Sequence, residues 1–297
     1  MPVYRGGEKF KRALSSVRAV EPFFRRIVIS LNSGVDSPDQ YSIEAYRAEG
    51  PTKIEVVQTG REIPWIPHQY FWLDYLEATG ESTETWLMWF AHDDELRFRG
   101  LDALVDQQGS WPLESGAIYL GPWGMRYDPP GALFDGDRSA PLESWTSFPV
   151  NGPKRMSVAE WICAQLEQPT YINMSGCVTQ LASFKQMRSF LFNKPGGMRI
   201  EMATAAAPVN HIVQEFSEPL VITYTSKGSD RTTYAAVARR DDAHLLAWLG
   251  NHMTHYPASI PAFGRTALRL ARRSATRLLR SSEPVAEDWR YRSTVEP

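Results

Sequence analysis

Apolar positions alternate between two rhythms over the first hundred residues. From Glu8 to Val20, Phe10, Ala13, Leu14, Val17 and Val20 recur at helical spacing, which predicts a helix with one buried face. Arg26–Leu31 (RIVISL) is a short apolar run that reads as a strand, broken by Asn32-Ser33-Gly34. Tyr41–Glu49 returns to helix, Lys53–Gln58 (KIEVVQ) to a strand ended by Thr59-Gly60, and His68–Ala78 to helix. Trp86–Ala91 (WLMWFA) is a further strand that runs straight into His92, Asp93, Asp94 and Glu95. Helices and strands in alternation predict an α/β fold, a mostly parallel sheet with helices on both faces. Ligands in open α/β sheets bind outside the carboxyl ends of the strands, where Asn32 and Asp93-Asp94 both fall.

The pattern loosens after residue 100. Ser115–Leu120 predicts a strand, and Gly121–Trp145, rich in Gly, Pro and Asp, a loop region. Helical spacing appears in Ser157–Glu167, after Asn173-Met174-Ser175-Gly176 through Phe192, and in Ile200–Ala207. Pro219–Tyr224 reads as a strand. From Ala243 to Ser282 no acidic residue occurs, while Arg265, Arg269, Arg272, Arg273, Arg277 and Arg280 share a segment with Leu268, Ala271, Ala275, Leu278 and Leu279. Two readings stay open for this helical tail. It rests on an anionic membrane surface, or it packs on the protein with its arginines solvated.

Composition narrows the function classes. A formal net charge of −2 over 297 residues argues against a general nucleic-acid binder. No apolar run long enough for a membrane span and no signal-peptide block are present. Cys163 and Cys177 are the two cysteines, too far apart for a CxxC pair, so the expectation is reduced thiols in a cytoplasmic protein. Neither a phosphate-binding G-x-x-x-x-G-K loop nor a G-x-S-x-G turn occurs.

Taken together, Pro2-Val3-Tyr4 with the helix after it, the strand ending at Asn32, the strand ending in acids and Glu218-Pro219-Leu220 resemble family 2 glycosyltransferases of the GT-A fold. The resemblance covers residues 1–225. It implies a nucleotide-sugar-binding half over 1–120, an acceptor-binding half over 121–225, and a basic helical extension over 226–297. Pro2 and Tyr4 would belong to the nucleotide site. The family has an apolar strand just before that turn, and the expectation here is a shortened or replaced first strand. Asn32 stands where the family has a base-contacting aspartate, and an amide still offers a donor and an acceptor. His68 falls near the family's diphosphate-binding cation, with a structural helix-face histidine as the equal alternative.

The acids resemble the family's D-x-D motif, with His92 in place of the first acid. Adjacent carboxylates repel unless a cation, water or a partner offsets them. A departing nucleoside diphosphate gathers negative charge, and Mn²⁺ or Mg²⁺ on oxygen ligands would stabilise it. Asp94 is the expected metal ligand and Asp93 the expected sugar contact. Asp135-Gly136-Asp137 is a literal DxD, but it lies in a Pro/Gly-rich stretch and reads as an exposed turn.

Glu201 is the candidate base for an inverting transfer, with a helix-surface glutamate as its bland alternative. Trp111, Trp123 and Trp145 could stack on an acceptor sugar or simply pack. Ser175-Gly176 resembles the family's acceptor-side turn. The implied activity takes a nucleotide-sugar donor and a glycan or lipid-linked acceptor, at the inner face of a membrane. A catalytically silent relative that binds a nucleotide or glycan is the rival. A nucleotidyltransferase is a further alternative, but it lacks a Gly-rich, lysine-containing turn.

Overall fold

The spacing of residues 8–20 folds as its period predicts. The computed structural model describes residues 1–34, 37–63, 68, 71–104, 113–121, 123–128, 143–145, 155–157, 160–161, 164, 175–185, 211–213, 219–226, 250, 260–261, 263–265, 267–269 and 271–272. Helix α1 (Gly7–Val20) buries Phe10, Ala13, Leu14, Val17 and Val20 in one cluster with Val3, Ile29 and Leu31. Each large apolar side chain so buried stabilises the fold by about 1.5–3 kcal/mol.

Strands β1 (Pro2–Val3), β2 (Ile27–Leu31) and β3 (Ile54–Gln58) form the first sheet in that order, with both pairs parallel. The pleat turns Ile29 and Leu31 toward α1 and Ser30 the other way, onto His68. His68 precedes α3 (Phe71–Ala78), which packs on β2. Helix α2 (Pro38–Ala48) packs on α1, its start fixed by Ser37 accepting from the Gln40 N–H and by Pro38 in the first turn. Helices therefore cover both faces of this sheet. Strand β1, which leads into the first loop, is two residues long.

The α/β expectation holds, but the sheets are mixed rather than mostly parallel. The second sheet runs β4 (Trp86–Met88), β10 (Cys177–Gln180), β6 (Ala117–Leu120), β11 (His211–Val213), β9 (Arg155–Ser157). Strand β10 is antiparallel to both its neighbours, and β11 parallel to β6. The third sheet runs β5 (Asp94–Leu96), β12 (Val221–Ser226), β7 (Trp123–Asp128), β8 (Glu143–Trp145). Here β7 is parallel to β12, and β5 antiparallel to it.

Three local readings change accordingly. The strand from Trp86 ends at Met88, and the acids open a separate strand after a turn. The region read as a loop contains β7 and β8, because β7 is held along its length by β12, a partner nearly a hundred residues away. Val178 lies in a strand, and helix begins only at 181–185. Cys177, Val178 and Thr179 are buried between two strands, where β-branched residues fit the pleat.

Helix α4 (Phe98–Leu104) sits directly on Pro219-Leu220, and the Arg97 N–H donates to the Leu220 carbonyl at 2.9 Å. A Cβ on Gly100 would stand 2.3 Å from the Pro219 carbonyl oxygen. Backbone cannot yield as a side chain does, so Gly100→Ala should cost about 1–3 kcal/mol. A thermal melt checks this, and an unchanged midpoint would refute the close packing. In the tail, Arg265 and Arg272 are exposed, as are Ile260 and Leu268. No helix among the described residues is long and apolar enough to cross a membrane.

Candidate functional site

The loop after β1 and the turn after β4 meet at the carboxyl ends of the first sheet. The first loop, Tyr4-Arg5-Gly6-Gly7, is tightly drawn: Arg5 takes φ 47° and Gly7 φ 52°. The Gly6 and Gly7 N–H groups donate to the two oxygens of Asp39, at 3.0 and 2.9 Å. A Cβ at Gly6 would lie 2.5 Å from the Phe10 Cβ and 3.1 Å from the His92 ring. The glycine thus lets backbone press against the acidic turn. The His92 ring donates to the Pro2 carbonyl, and burial holds it below the usual histidine range against the pull of Asp93 and Asp39.

The acidic turn is braced from the second sheet. The Trp89 N–H donates to Cys177 and its carbonyl accepts from Gly176, both at 2.9 Å. Gly176 takes φ +82°, which turns the chain so that the Ser175 hydroxyl accepts the Ala91 N–H at 2.8 Å. Ser175 and Thr223 hydrogen-bond the Asp94 carboxyl, which is 3% exposed at the start of β5, opposite Thr223. Burial, and then the charge of Asp93, push Asp94 up to about 7, while the two hydroxyls and Arg12 pull the other way. Asp93 remains half-buried.

Arg12 of α1 closes the turn from behind. Its Nη2 donates to the Asp93 carbonyl at 3.1 Å, its Nε lies 3.7 Å from Glu95, and its guanidinium stacks 3.7 Å from the Tyr224 ring centroid.

The residues expected from the sequence fall into three groups. Pro2, Tyr4, Asp93 and Asp94 come together around the first loop and the acidic turn. Asn32 lies at the end of β2, but its amide is engaged: Nδ2 donates to the Ile63 carbonyl and Oδ1 accepts the Ile63 N–H, both at 2.8 Å. His68 is 1% exposed beneath β2, its Nε2 3.0 Å from the Ser30 carbonyl. Burial pushes it down to about 4, so it is neutral at pH 7 and brings no charge to a phosphate. Glu201, Trp111 and Asp135–Asp137 lie outside the described residues, as do Arg273, Arg277 and Arg280 of the tail.

Sequence reasoning missed Asp39, Arg12 and Thr223. The paired Gly6-Gly7 was the available signal for Asp39, since two adjacent free amides need an acceptor. Arg12 interrupts the apolar stripe of α1 without marking its partner, and Thr223 shows only through the register of β12.

The donors at the turn are oxygens. Two carboxylates, with no third acidic, histidine or cysteine ligand beside them among the described residues, suit a Mg²⁺-type cation that takes its other ligands from substrate phosphates and water. Among the described residues no group of three His, Cys, Asp or Glu side chains forms a complete metal cage. No family model matches the chain, and no curated protein matches it.

Proposed function

We propose that the chain is an inverting glycosyltransferase of GT-A type, moving a sugar from a nucleotide-diphosphate sugar to a hydroxyl of a glycan or lipid-linked acceptor. One observation carries the reading. Adjacent carboxylates, braced by Ser175, Thr223 and Arg12, stand against a tight loop at the carboxyl ends of parallel strands.

Tyr4, 38% exposed, offers a ring face to the base, with the Arg5 guanidinium 5.2 Å from its centroid and paired with Glu62. Asp93, the more open acid, faces the donor, with Asp94 sealed behind it. Asp93 and Asp94 would be the residues to hold Mn²⁺ or Mg²⁺, which would supply the positive charge that stabilises the leaving diphosphate. The bond from the anomeric carbon to diphosphate breaks as the acceptor oxygen joins that carbon from the opposite face. Glu201 takes the hydroxyl proton, a role resting on the family resemblance alone. Exposed Arg265, Leu268 and Arg272 fit a peripheral enzyme on an anionic, cytoplasmic membrane face.

A catalytically silent binder of the same ligands is the second reading, favoured by the Asn32 amide being used on Ile63.

Thermal shifts with UDP, GDP, dTDP and CMP, each with and without Mn²⁺, test the site. Ligand at about 100 times its Kd stabilises by about 2.7 kcal/mol. At this size the melting point should rise by roughly 5 °C or more. A rise with one nucleoside diphosphate only when Mn²⁺ is present is the expected result, and no rise with any of them sinks both readings. Metal-dependent hydrolysis of the matching donor then separates transferase from silent binder.

A further inference from the structure

The loop between β1 and α1 is held by a buried side chain that belongs to neither of them. The Asn32 N–H donates to the Val3 carbonyl at 2.9 Å, which fixes the end of β1. The Phe10 N–H on the Gly6 carbonyl, at 3.3 Å, marks the first turn of α1. Tyr4 and Arg5 lie between these points, both exposed. Among the described residues Arg5, at φ 47°, is the only one other than glycine with a positive φ. A bulky residue rarely adopts that conformation, and keeps it only where its surroundings over-determine it.

Two interactions could impose it. The Arg5 guanidinium meets Glu62 through Nε and Nη2, both at 3.1 Å, but the two side chains are 70% and 50% exposed. Water screens such a pair, so it contributes little. Asp39 is 6% exposed, and each of its carboxylate oxygens accepts one N–H, from Gly6 and from Gly7. Hydrogen bonds to a buried carboxylate are much the stronger. Asp39 is itself fixed, because Ser37 and Pro38 set the first turn of α2 just before it. The clamp from α2 therefore outweighs the surface pair.

The same clamp sets how the loop meets the acidic turn. With Gly6 held, its backbone stands against the His92 ring, which a Cβ would meet at 3.1 Å. Without Asp39, nothing of comparable strength among the described residues keeps Arg5 and Gly7 in the left-handed region. The Tyr4 ring would move with them. We propose that Asp39 is a positioning residue for the nucleotide: it clamps Gly6 and Gly7 so that the strained loop presents Tyr4 to the base, and does not touch the ligand itself. Asp39 acts in this way only if the loop binds a nucleotide, as the transferase reading holds.

Asp39→Asn removes one acceptor oxygen and sets an amide donor against a loop N–H. Gly7→Ala strains the same loop from the other side, since a Cβ there meets nothing within 4 Å and only the φ of +52° opposes it. Gly80→Ala is the matched control after α3: its φ is +72°, and again nothing lies within 4 Å. UDP, GDP, dTDP and CMP, each with Mn²⁺, are titrated calorimetrically into the full chain and the three variants. Binding of Mn²⁺ alone is followed by its paramagnetic resonance. Asp39→Asn and Gly7→Ala should each weaken the nucleotide that wild type binds by about tenfold or more, with Mn²⁺ affinity within about twofold of wild type. Gly80→Ala should lower the melting point as Gly7→Ala does and leave nucleotide affinity unchanged. Wild-type nucleotide affinity in Asp39→Asn, or in Gly7→Ala should Asp39→Asn not fold, overturns the inference and leaves the transferase reading standing. So does an equal loss in Gly80→Ala, or a loss of Mn²⁺ affinity in step with that of the nucleotide. A wild-type chain that binds none of the four overturns both.

Discussion

Asp94→Asn should stabilise the unliganded protein, by up to about 4 kcal/mol at pH 8 and by almost nothing near pH 4. The cause is the distance between the folded value of about 7 and the ordinary 3.8 of an aspartate. Between those values the folded state holds a proton that the unfolded chain has released. Wild-type stability is therefore full below the lower value, declines as pH rises between the two, and stays reduced above the upper one. An asparagine carries no proton to lose. Its amide still offers a donor and an acceptor to Ser175 and Thr223. Melting points of both proteins from pH 4 to 8 should diverge progressively, by several degrees at the alkaline end. A variant less stable than wild type at every pH would show instead that the two hydroxyls and Arg12 hold an ionised carboxylate.

The same titration reports on the cation. An ion bound to Asp94 displaces the proton, so Mn²⁺ should raise the wild-type melting point more at pH 8 than at pH 5.5. It should leave the Asp94→Asn protein nearly where it was. Equal responses in the two proteins would remove Asp94 from the metal site and leave Asp93 as the carboxylate to test. If Asp94 is the ligand proposed above, protein stability without the cation and affinity for it would pull in opposite directions at one side chain.

The parts of this arrangement that could be read from the sequence are those whose partners are close in the chain. The stripe Phe10–Val20 and the runs RIVISL and KIEVVQ need only their own period to declare helix and strand, and their short links make them neighbours. Asp93-Asp94 could be singled out as a candidate site because an apolar run ends in like charges. What holds those charges could not be read. Ser175 reaches Ala91 across 84 residues, and Thr223 meets Asp94 only because β12 pairs with β5 in that register. Strand β7 was hidden for the same reason: its Gly-containing WGMRYD becomes a strand through β12, not through its own propensity. Asn32 lies at the end of β2, where the sequence placed it, while His68 was left between a phosphate contact and a structural helix-face histidine. Their side chains are engaged by Ile63 and Ser30, backbone neighbours that no spacing rule picks out.

Arg12→Leu should cost about 3–5 kcal/mol, because it removes one partner of a buried ion pair and leaves the other in place. Glu95 is 8% exposed, and its carboxylate would lose the nearby guanidinium without gaining water. The stacking on Tyr224 and the hydrogen bond to the Asp93 carbonyl would go with it. Much of that loss is the stranded charge rather than the net worth of the pair. Arg12→Leu combined with Glu95→Leu should therefore recover most of it, in a denaturant-melt cycle of the two single variants and the double. A double variant no more stable than Arg12→Leu would mean that stacking and the Asp93 tether dominate. Arg12→Lys separates these further: it keeps a positive charge near Glu95 but loses the planar fork that stacks on Tyr224 while donating to Asp93. If that tether sets the acidic turn, Arg12→Lys should weaken the Mn²⁺-dependent nucleotide shift more than it lowers the melting point of the unliganded protein. A helix residue with no contact to the ligand would then govern how the two carboxylates are presented, which the local pattern WLMWFAHDDEL cannot reveal.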